Sequence, residues 1–324
     1  MRIWYPKPLG DDVIDQLREM THGHVVSRDH SDQAEMLIEG RAQREQIEAC
    51  PNLKWVVVPF AGVPHATIEL VREFPAISLH NLHHNAPHTA EAALALLFAA
   101  AKQIVPMDSA MRHNDWRPRY TPEWAVLLEG KTCLILGYGE IGRRIGAALQ
   151  AIGMKVMAIR RNPSGPDERG PDHLHALLPS ADVLMIAIPH NQETDGMIGA
   201  RELDLMPDGA ILVNVARAQI VDEEALFKAL KSGRLHSAGL DVWYRYPQEE
   251  GSAVPGYFVA PASAADTPPS RFPFRELRNV VMSPHRGGAA AGTEAHRVRH
   301  LARLIEAAAS GQPVPNRVNL DLGY

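Results

Sequence analysis

Residues 131–161 read KTCLILGYGEIGRRIGAALQAIGMKVMAIRR. An apolar, strand-like run from Thr132 to Leu136 enters a glycine-rich turn, and Ile141, Ile145, Leu149 and Ile152 then recur at helical spacing before a second apolar run. A GxGxxG pattern alone is weak. Placed after a strand and at the head of a helix, it describes a dinucleotide-binding turn. Gly137 makes the tight turn, Gly139 lets the backbone approach a pyrophosphate, and Gly142 allows helix and strand to pack closely. Tyr138, Glu140 and Ile141 complete the loop, where the helix N-terminus turns its N–H groups and positive dipole end toward phosphate. At the end of the second strand, 23 positions after Gly137, a carboxylate would accept the ribose 2′-hydroxyl of NAD; the chain has Arg160, Arg161 and Asn162 instead. Two guanidinium groups match a 2′-phosphate, so NADP(H) is favoured, with NAD(H) as the alternative. The plain reading of the arginines is a pair of solvated strand-end charges.

Further strand-like runs lie downstream in ADVLMIAIP (181–189), GAILVNVA (209–216), HSAGLDVW (236–243) and NVVMSPH (279–285). They lack polar alternation, as strands covered on both faces of a parallel sheet do. Upstream, strands are expected at Arg2–Tyr5, Val25–Val26, Trp55–Val58 and Ile77–Leu79, with helical segments at Asp11–Met20, Asp32–Ile38 and Ala42–Ala49. A long helix is expected from Thr89 as N-cap, with Glu91 in its first turn, ending before Pro106; a last one spans Thr293–Ala309, its domain unassigned. The fold class is α/β with doubly wound parallel sheets. Residues 246–275 carry Pro247, Pro255, Pro261, Pro268, Pro269 and Pro273, and read as a lid, an oligomer arm or a plain surface excursion.

The bulk numbers restrict function further. A chain of 324 residues supports about two domains. A net charge of −5 with interspersed signs gives no footprint for nucleic acid. Two cysteines, one of them Cys133 inside an apolar run, argue against a disulfide framework. MRIWYPKPLGDD lacks the apolar core of a secretory signal, which points to the cytoplasm. The apolar run Ala92–Ala101 is far short of the ~20 residues a bilayer requires and reads as a buried helix, so no membrane association is expected.

With NVARAQIVDEEAL (214–226), AGLDVW (238–243) and MSPH (282–285) following GYGEIG, the chain resembles the D-isomer-specific 2-hydroxyacid dehydrogenase family, which includes NAD-dependent formate dehydrogenases. The resemblance covers nearly the whole chain. It implies an NAD(P)-binding Rossmann domain over residues 91–285, inserted into a flavodoxin-like substrate domain of residues 1–90 and 286–324, with the active site in the cleft and a homodimer as the assembly. It implies hydride transfer between nicotinamide and a small carboxylate substrate. Arg217 resembles the arginine that grips the substrate carboxylate, a task suited to a guanidinium fork. His285 resembles the acid/base, which suits a group titrating near neutral pH. Pro189, Thr194, Ala216, Asp241 and Gly287 correspond to further cofactor contacts, although Thr194 and Asp241 equally suit caps of turns. FAGVPH resembles the family's carboxylate-binding loop, pointing to the amides of Ala61, Gly62 and Val63; Asn85 stands where formate dehydrogenases bind substrate.

The pattern breaks five residues after Asp241. The family places a glutamate there to partner its histidine, and this chain has Tyr246 followed by Pro247. A phenol favours imidazolium less than a carboxylate does. Glu249 or Glu250 from a shifted loop, or Tyr246 as hydrogen-bond partner, are the available substitutes. Three readings therefore stand: an NADPH-dependent reductase of 2-keto acids of the glyoxylate and hydroxypyruvate type, a formate-dehydrogenase-like oxidase, or a dinucleotide-sensing binding protein without turnover. Retention of Arg217 and His285 argues against the last. HNLHHNAPH (80–88) crowds four histidines, but Pro87 interrupts a helical face and no HExxH occurs, so no metal is expected.

Overall fold

In the computed structural model, the described residues are 1–8, 10, 12–21, 23–121, 125–247 and 262–324. They form two compact units, one of Met1–Asn85 and Ala290–Tyr324, the other of Ala86–Pro247 and Ala264–Ala289.

In the first unit, β1 (Arg2–Trp4), β2 (Val25–Ser27), β3 (Met36–Ile38), β4 (Trp55–Val57) and β5 (Ser78–His80) form a parallel sheet in the order β2-β1-β3-β4-β5. This is the flavodoxin-like order. Helices Val13–Met20 and Thr293–Ala309 cover one face, where Leu17, Leu301 and Ile305 meet Ile3, Met36 and Ile38. On the other face Ile47, Ile68 and Val71 pack against Leu37 and Val56. The expectation of a helix over Asp32–Ile38 is corrected here. Met36 and Ile38 point to one face and Leu37 to the other, the two-residue period of a strand. Three apolar residues in a row are too short to display that period in the sequence.

The C-terminal segment returns along β5. Val318 N–H donates to the Leu79 carbonyl at 2.8 Å, and His80 Nδ1 bonds the Pro315 carbonyl at 2.8 Å while its Nε2 lies 3.0 Å from Ser78 Oγ. Within HNLHHNAPH, His80 therefore serves as a tie between β5 and the chain terminus.

The second unit holds β6 (Thr132–Leu136), β7 (Lys155–Ile159), β8 (Glu168–Arg169), β9 (Val183–Ile186), β10 (Ala210–Asn214), β11 (Leu235–Leu240) and β12 (Val280–Met282). All are parallel, in the order β12-β11-β10-β9-β6-β7-β8. The order reverses between β6 and β9, and a sheet wound this way opens a crevice at the carboxyl ends of those strands. The six apolar runs read from the sequence are strands, and the two-residue β8 is an addition. Cys133 is fully buried in β6, where burial pushes its thiol well above the ordinary range, and both Cys50 and Cys133 are free.

The long helix starts earlier than expected and ends, as expected, before Pro106. It spans Ala86–Lys102, so Thr89 lies within it and Pro87 occupies its first turn, where a missing N–H costs nothing. Gln103, at a left-handed φ of 54°, ends it, and Pro106 falls in the first turn of a second helix, Ile104–Arg112. The apolar run Ala92–Ala101 is thus a core helix, and among the described residues no single helix is long and apolar enough to cross a membrane.

Two histidines of the first unit set a pH dependence. Burial, reinforced by the Arg317 charge, holds His80 below the ordinary histidine range despite its bond to Pro315. Burial and the charges of Arg303, His296, His83 and Arg299 do the same to His300. The unfolded chain therefore takes up these protons first. The stabilisation is fully present above the unfolded value of about 6.5 and is lost as pH falls through the depressed folded values. The urea midpoint should drop between pH 7.5 and 5.5, and less so in His80→Asn; a midpoint constant over that range would contradict this assignment.

Candidate active site

Six strand tips of the second unit carry the nucleotide-side and acid/base candidates. At the tip of β6, Gly137 has a φ of +94°, and a Cβ there would lie 2.5 Å from the Ala187 carbonyl oxygen. A Cβ on Gly142 would sit 2.0 Å from the Gly137 carbonyl oxygen, so only glycine lets the helix Glu140–Ala151 start this close to the strand. A Cβ on Gly139, by contrast, would meet nothing within 4 Å. The loop of Tyr138, Glu140 and Ile141 thus leaves an open backbone face at a helix N-terminus, which fits a pyrophosphate.

At the tip of β7, Arg160 Nη1 lies 3.3 Å from both Ser164 Oγ and Glu168 Oε2, while Arg161 pairs with Glu193. Asn162 follows them in the same turn. Neither carboxylate partner was anticipated, because Glu168 is eight residues on and Glu193 lies beyond another strand. After β9, Thr194 Oγ1 donates to the Pro189 carbonyl at 2.8 Å and accepts from the Asn191 N–H at 2.8 Å. In this structure Thr194 closes its own loop, the capping role weighed beside the cofactor contact.

The remaining residues converge at β10, β11 and β12, which are neighbours in the sheet. Asn214, 2% exposed, accepts from the Ala216 N–H and donates to the Arg217 carbonyl, stapling the turn that presents Arg217. One guanidinium nitrogen of Arg217 is held by the Ala216 carbonyl at 2.7 Å. Asp241, also 2% exposed, uses both carboxylate oxygens on the turn after β12: it accepts from Ser283 Oγ, from the Arg286 N–H at 2.9 Å and from the Gly287 N–H at 2.8 Å. That turn carries His285 at a left-handed φ of 57°. Such a conformation costs a non-glycine residue about 1–3 kcal/mol and persists only where neighbours enforce it. Asn214 and Ser283 were missed in the sequence; each sits inside a quoted motif, but nothing in the motif reveals which backbone groups it satisfies.

Tyr246 is where the sequence departs from the family, and it meets the histidine directly. Its Oη lies 3.0 Å from His285 Nδ1 and accepts the Trp243 N–H at 3.1 Å. Although His285 keeps an accessible edge, the protein around its ring and then the Arg217 charge lower its pKa below the usual value, with Asp241 pulling upward. Burial of its ring raises the Tyr246 pKa above that of an ordinary phenol, against the Trp243 N–H and the Arg217 charge. Arg217 thus acts electrically on both. Glu249 and Glu250, the other candidate partners for His285, lie outside the described residues, as does the 248–261 part of the proline-rich excursion. Its later part is packed: Phe272 stacks on Phe227, and Phe274 meets both Phe227 and Trp243 edge-on.

The substrate-side candidates lie in the first unit. Ala61, Gly62 and Val63 follow β4, with the Ala61 carbonyl accepting from Asn81 Nδ2 at 2.7 Å, and Asn85 follows β5.

Residues 94–287 match the profile of the D-isomer specific 2-hydroxyacid dehydrogenase NAD binding domain. A glyoxylate reductase from Thermococcus litoralis is 30% identical over 296 residues, covering 88% of this chain and 83% of the relative. A glycerate dehydrogenase from Methylorubrum extorquens is 28% identical, covering 90% and 88%. Among solved structures, a Thermus thermophilus protein aligns with a TM-score of 0.73 at 29% identity, covering 98% of this chain and 100% of the other. A D-isomer specific 2-hydroxyacid dehydrogenase from Xanthobacter autotrophicus aligns with a TM-score of 0.79 at 23% identity over 100% and 98%, which supports the fold. The chain belongs to the D-isomer specific 2-hydroxyacid dehydrogenase family, and its seven-stranded unit is that family's nicotinamide-dinucleotide domain.

Replacing Asp241 with Ala should leave the Arg286 and Gly287 amides without their acceptor. An expected loss of about 1–3 kcal/mol in unfolding free energy follows, with a larger loss of turnover. Wild-type stability and turnover in Asp241→Ala would show that this carboxylate does not hold the His285 turn.

Proposed function

We propose that this enzyme reduces small 2-keto acids of the glyoxylate and hydroxypyruvate type, with NADPH preferred over NADH. The observation that carries the reading is the placement of Arg217 and His285 at the tips of β10 and β12, the two strands that flank β11, each turn locked by a buried side chain, Asn214 or Asp241. The names of the relatives from Thermococcus litoralis and Methylorubrum extorquens point the same way.

In this reading, Gly137, Tyr138, Gly139, Glu140, Ile141 and Gly142 receive the pyrophosphate, and Pro189, Thr194, Ala216, Asp241 and Gly287 border the rest of the cofactor. When bound, the reduced nicotinamide supplies the hydride. Arg217 anchors the substrate carboxylate and polarises the carbonyl, and His285 provides the proton that the carbonyl oxygen takes up. Ala61, Gly62, Val63 and Asn85 are the substrate contacts assigned to the first unit. Arg160 and Arg161 receive the 2′-phosphate in exchange for Glu168 and Glu193, with Asn162 alongside. A homodimer suits the helix Ile104–Arg112, which buries none of its residues and exposes Ile104, Val105 and Met111, with Trp116, Tyr120 and Leu127 exposed nearby. A cytoplasmic setting suits two buried free thiols.

A formate-dehydrogenase-like reaction is the second reading. It is favoured by one observation, the phenol at His285 in place of a carboxylate, because oxidation of formate needs no general base. Purified enzyme should consume NADPH with glyoxylate or hydroxypyruvate and stay inactive with formate and NADP or NAD. The opposite pattern would establish the second reading, and bound dinucleotide without any turnover would establish a sensor. For the cofactor, Arg160→Asp should raise KM for NADPH about tenfold or more while sparing NADH; an unchanged preference would remove the arginine clamp.

A further inference from the structure

Tyr246 does more in this geometry than fill the place of a missing carboxylate. A phenol has one O–H donor and two acceptor lone pairs. The Trp243 backbone N–H can only donate, so at 3.1 Å it occupies a lone pair of Oη. The O–H is then available to the ring nitrogen 3.0 Å away, His285 Nδ1. The opposite polarity would place the ring proton on Nδ1 and leave Nε2 as a bare lone pair, with nothing to give a carbonyl oxygen. From these contacts we infer that Tyr246 fixes His285 as the neutral Nε2–H tautomer and relays to it the proton that the substrate oxygen takes up.

The inference rests on the reductase reading. The step balances as follows. The carbonyl carbon receives a hydride from the reduced nicotinamide cofactor, and the C=O π pair moves onto oxygen. The oxygen takes the Nε2 proton of His285 and Nδ1 takes the Oη proton of Tyr246. Once the product leaves, Nε2 takes a proton from water at the exposed edge of His285 and Nδ1 returns its proton to Oη, which restores the starting tautomer. Oxidation of the hydroxy acid runs the same transfers backward.

Relative basicity decides whether the relay is needed. A neutral imidazole that simply gave up its Nε2 proton would become imidazolate, a very strong base. With the phenol attached, the charge ends on a phenolate, whose conjugate acid has a pKa of about 10. An alkoxide is a stronger base than that, so the transfer runs downhill. The protein around the ring holds the Tyr246 phenol above that ordinary value, against the Trp243 N–H and the Arg217 charge, yet a phenolate remains a weaker base than an alkoxide. Among the described residues, the charged groups acting on His285 are Arg217, from the β10 tip, and Asp241, from the β11 tip, whose oxygens are already engaged by Ser283, Arg286 and Gly287. No imidazolium is required, which matters because burial and Arg217 disfavour it. Tyr246 acts through His285 and is thus a positioning residue with a proton to lend.

The test begins with the wild-type, full-length chain. Nitrogen-15 NMR of histidine-labelled protein should show His285 protonated at Nε2 near neutral pH; protonation at Nδ1 would overturn the inference. In Tyr246→Phe, kcat for keto-acid reduction should fall about 10²-fold with KM little changed. The residual kcat should decline as pH rises through the histidine range, because only imidazolium can then act as the acid. The solvent isotope inventory should change from curved, with two protons in flight, to linear. Tyr246→Glu should restore much of kcat and move the falling limb to higher pH, since a carboxylate favours imidazolium. A Tyr246→Phe enzyme with the wild-type pH profile and inventory would overturn the relay. If the wild-type chain reduces no keto acid, the reductase reading and the relay built on it fail together, while the NMR result still decides the tautomer.

Discussion

The carboxylate of Asp241 is the constraint on which the rest of the site depends. Parallel pairing brings the tips of β10, β11 and β12 side by side, but adjacency alone does not aim a side chain. Asp241, at the end of β11, reaches across to the turn after β12 and satisfies a hydroxyl and two amides. Its reward is a histidine held in a backbone conformation that few residues adopt freely. The equivalent device one strand away is Asn214, whose side chain both accepts from and donates to the turn carrying Arg217. Both groups are nearly inaccessible, so these bonds do not compete with water. The chemistry-bearing side chains are therefore supported from below by polar groups that never need to touch a substrate.

Placing a phenol next to such a histidine changes the electrostatics. A carboxylate partner stabilises imidazolium and ties the acid form to a pH window. A phenol stabilises the neutral ring, and the positive charge of Arg217 presses in the same direction. The two effects are consistent with one another under the proposed function: a site that holds Arg217 for an acidic substrate gains little from a second cation beside it.

Much of the second unit was readable because its strands are buried on both faces. Uninterrupted apolar runs such as VLMI and AILVN have few alternatives, and Gly137 and Gly142, in the glycine turn after β6, meet steric demands that only glycine satisfies. The first unit was harder. Its strands are three residues long, and Met36–Ile38 shows its alternation only when the two faces of the sheet can be seen. Pro87 misled for a related reason: proline disrupts the interior of a helix but sits comfortably in its first turn, whereas the long helix ends before Pro106 as expected. At the site, residue types were legible and their partners were not. Nothing in the order of residues announces that Glu168 and Glu193 occupy Arg160 and Arg161, or that the oxygens of Asp241 are spent on a turn.

The left-handed backbone at His285 bears on how the imidazole can be studied. Alanine at that position loses the ring and is also ill at ease with the φ of 57°, so its effect mixes lost chemistry with a relaxed loop. Asparagine tolerates this region of backbone space far better than most residues. It is the replacement that removes proton exchange while leaving the scaffold in place, and it separates what the ring does from what the loop needs.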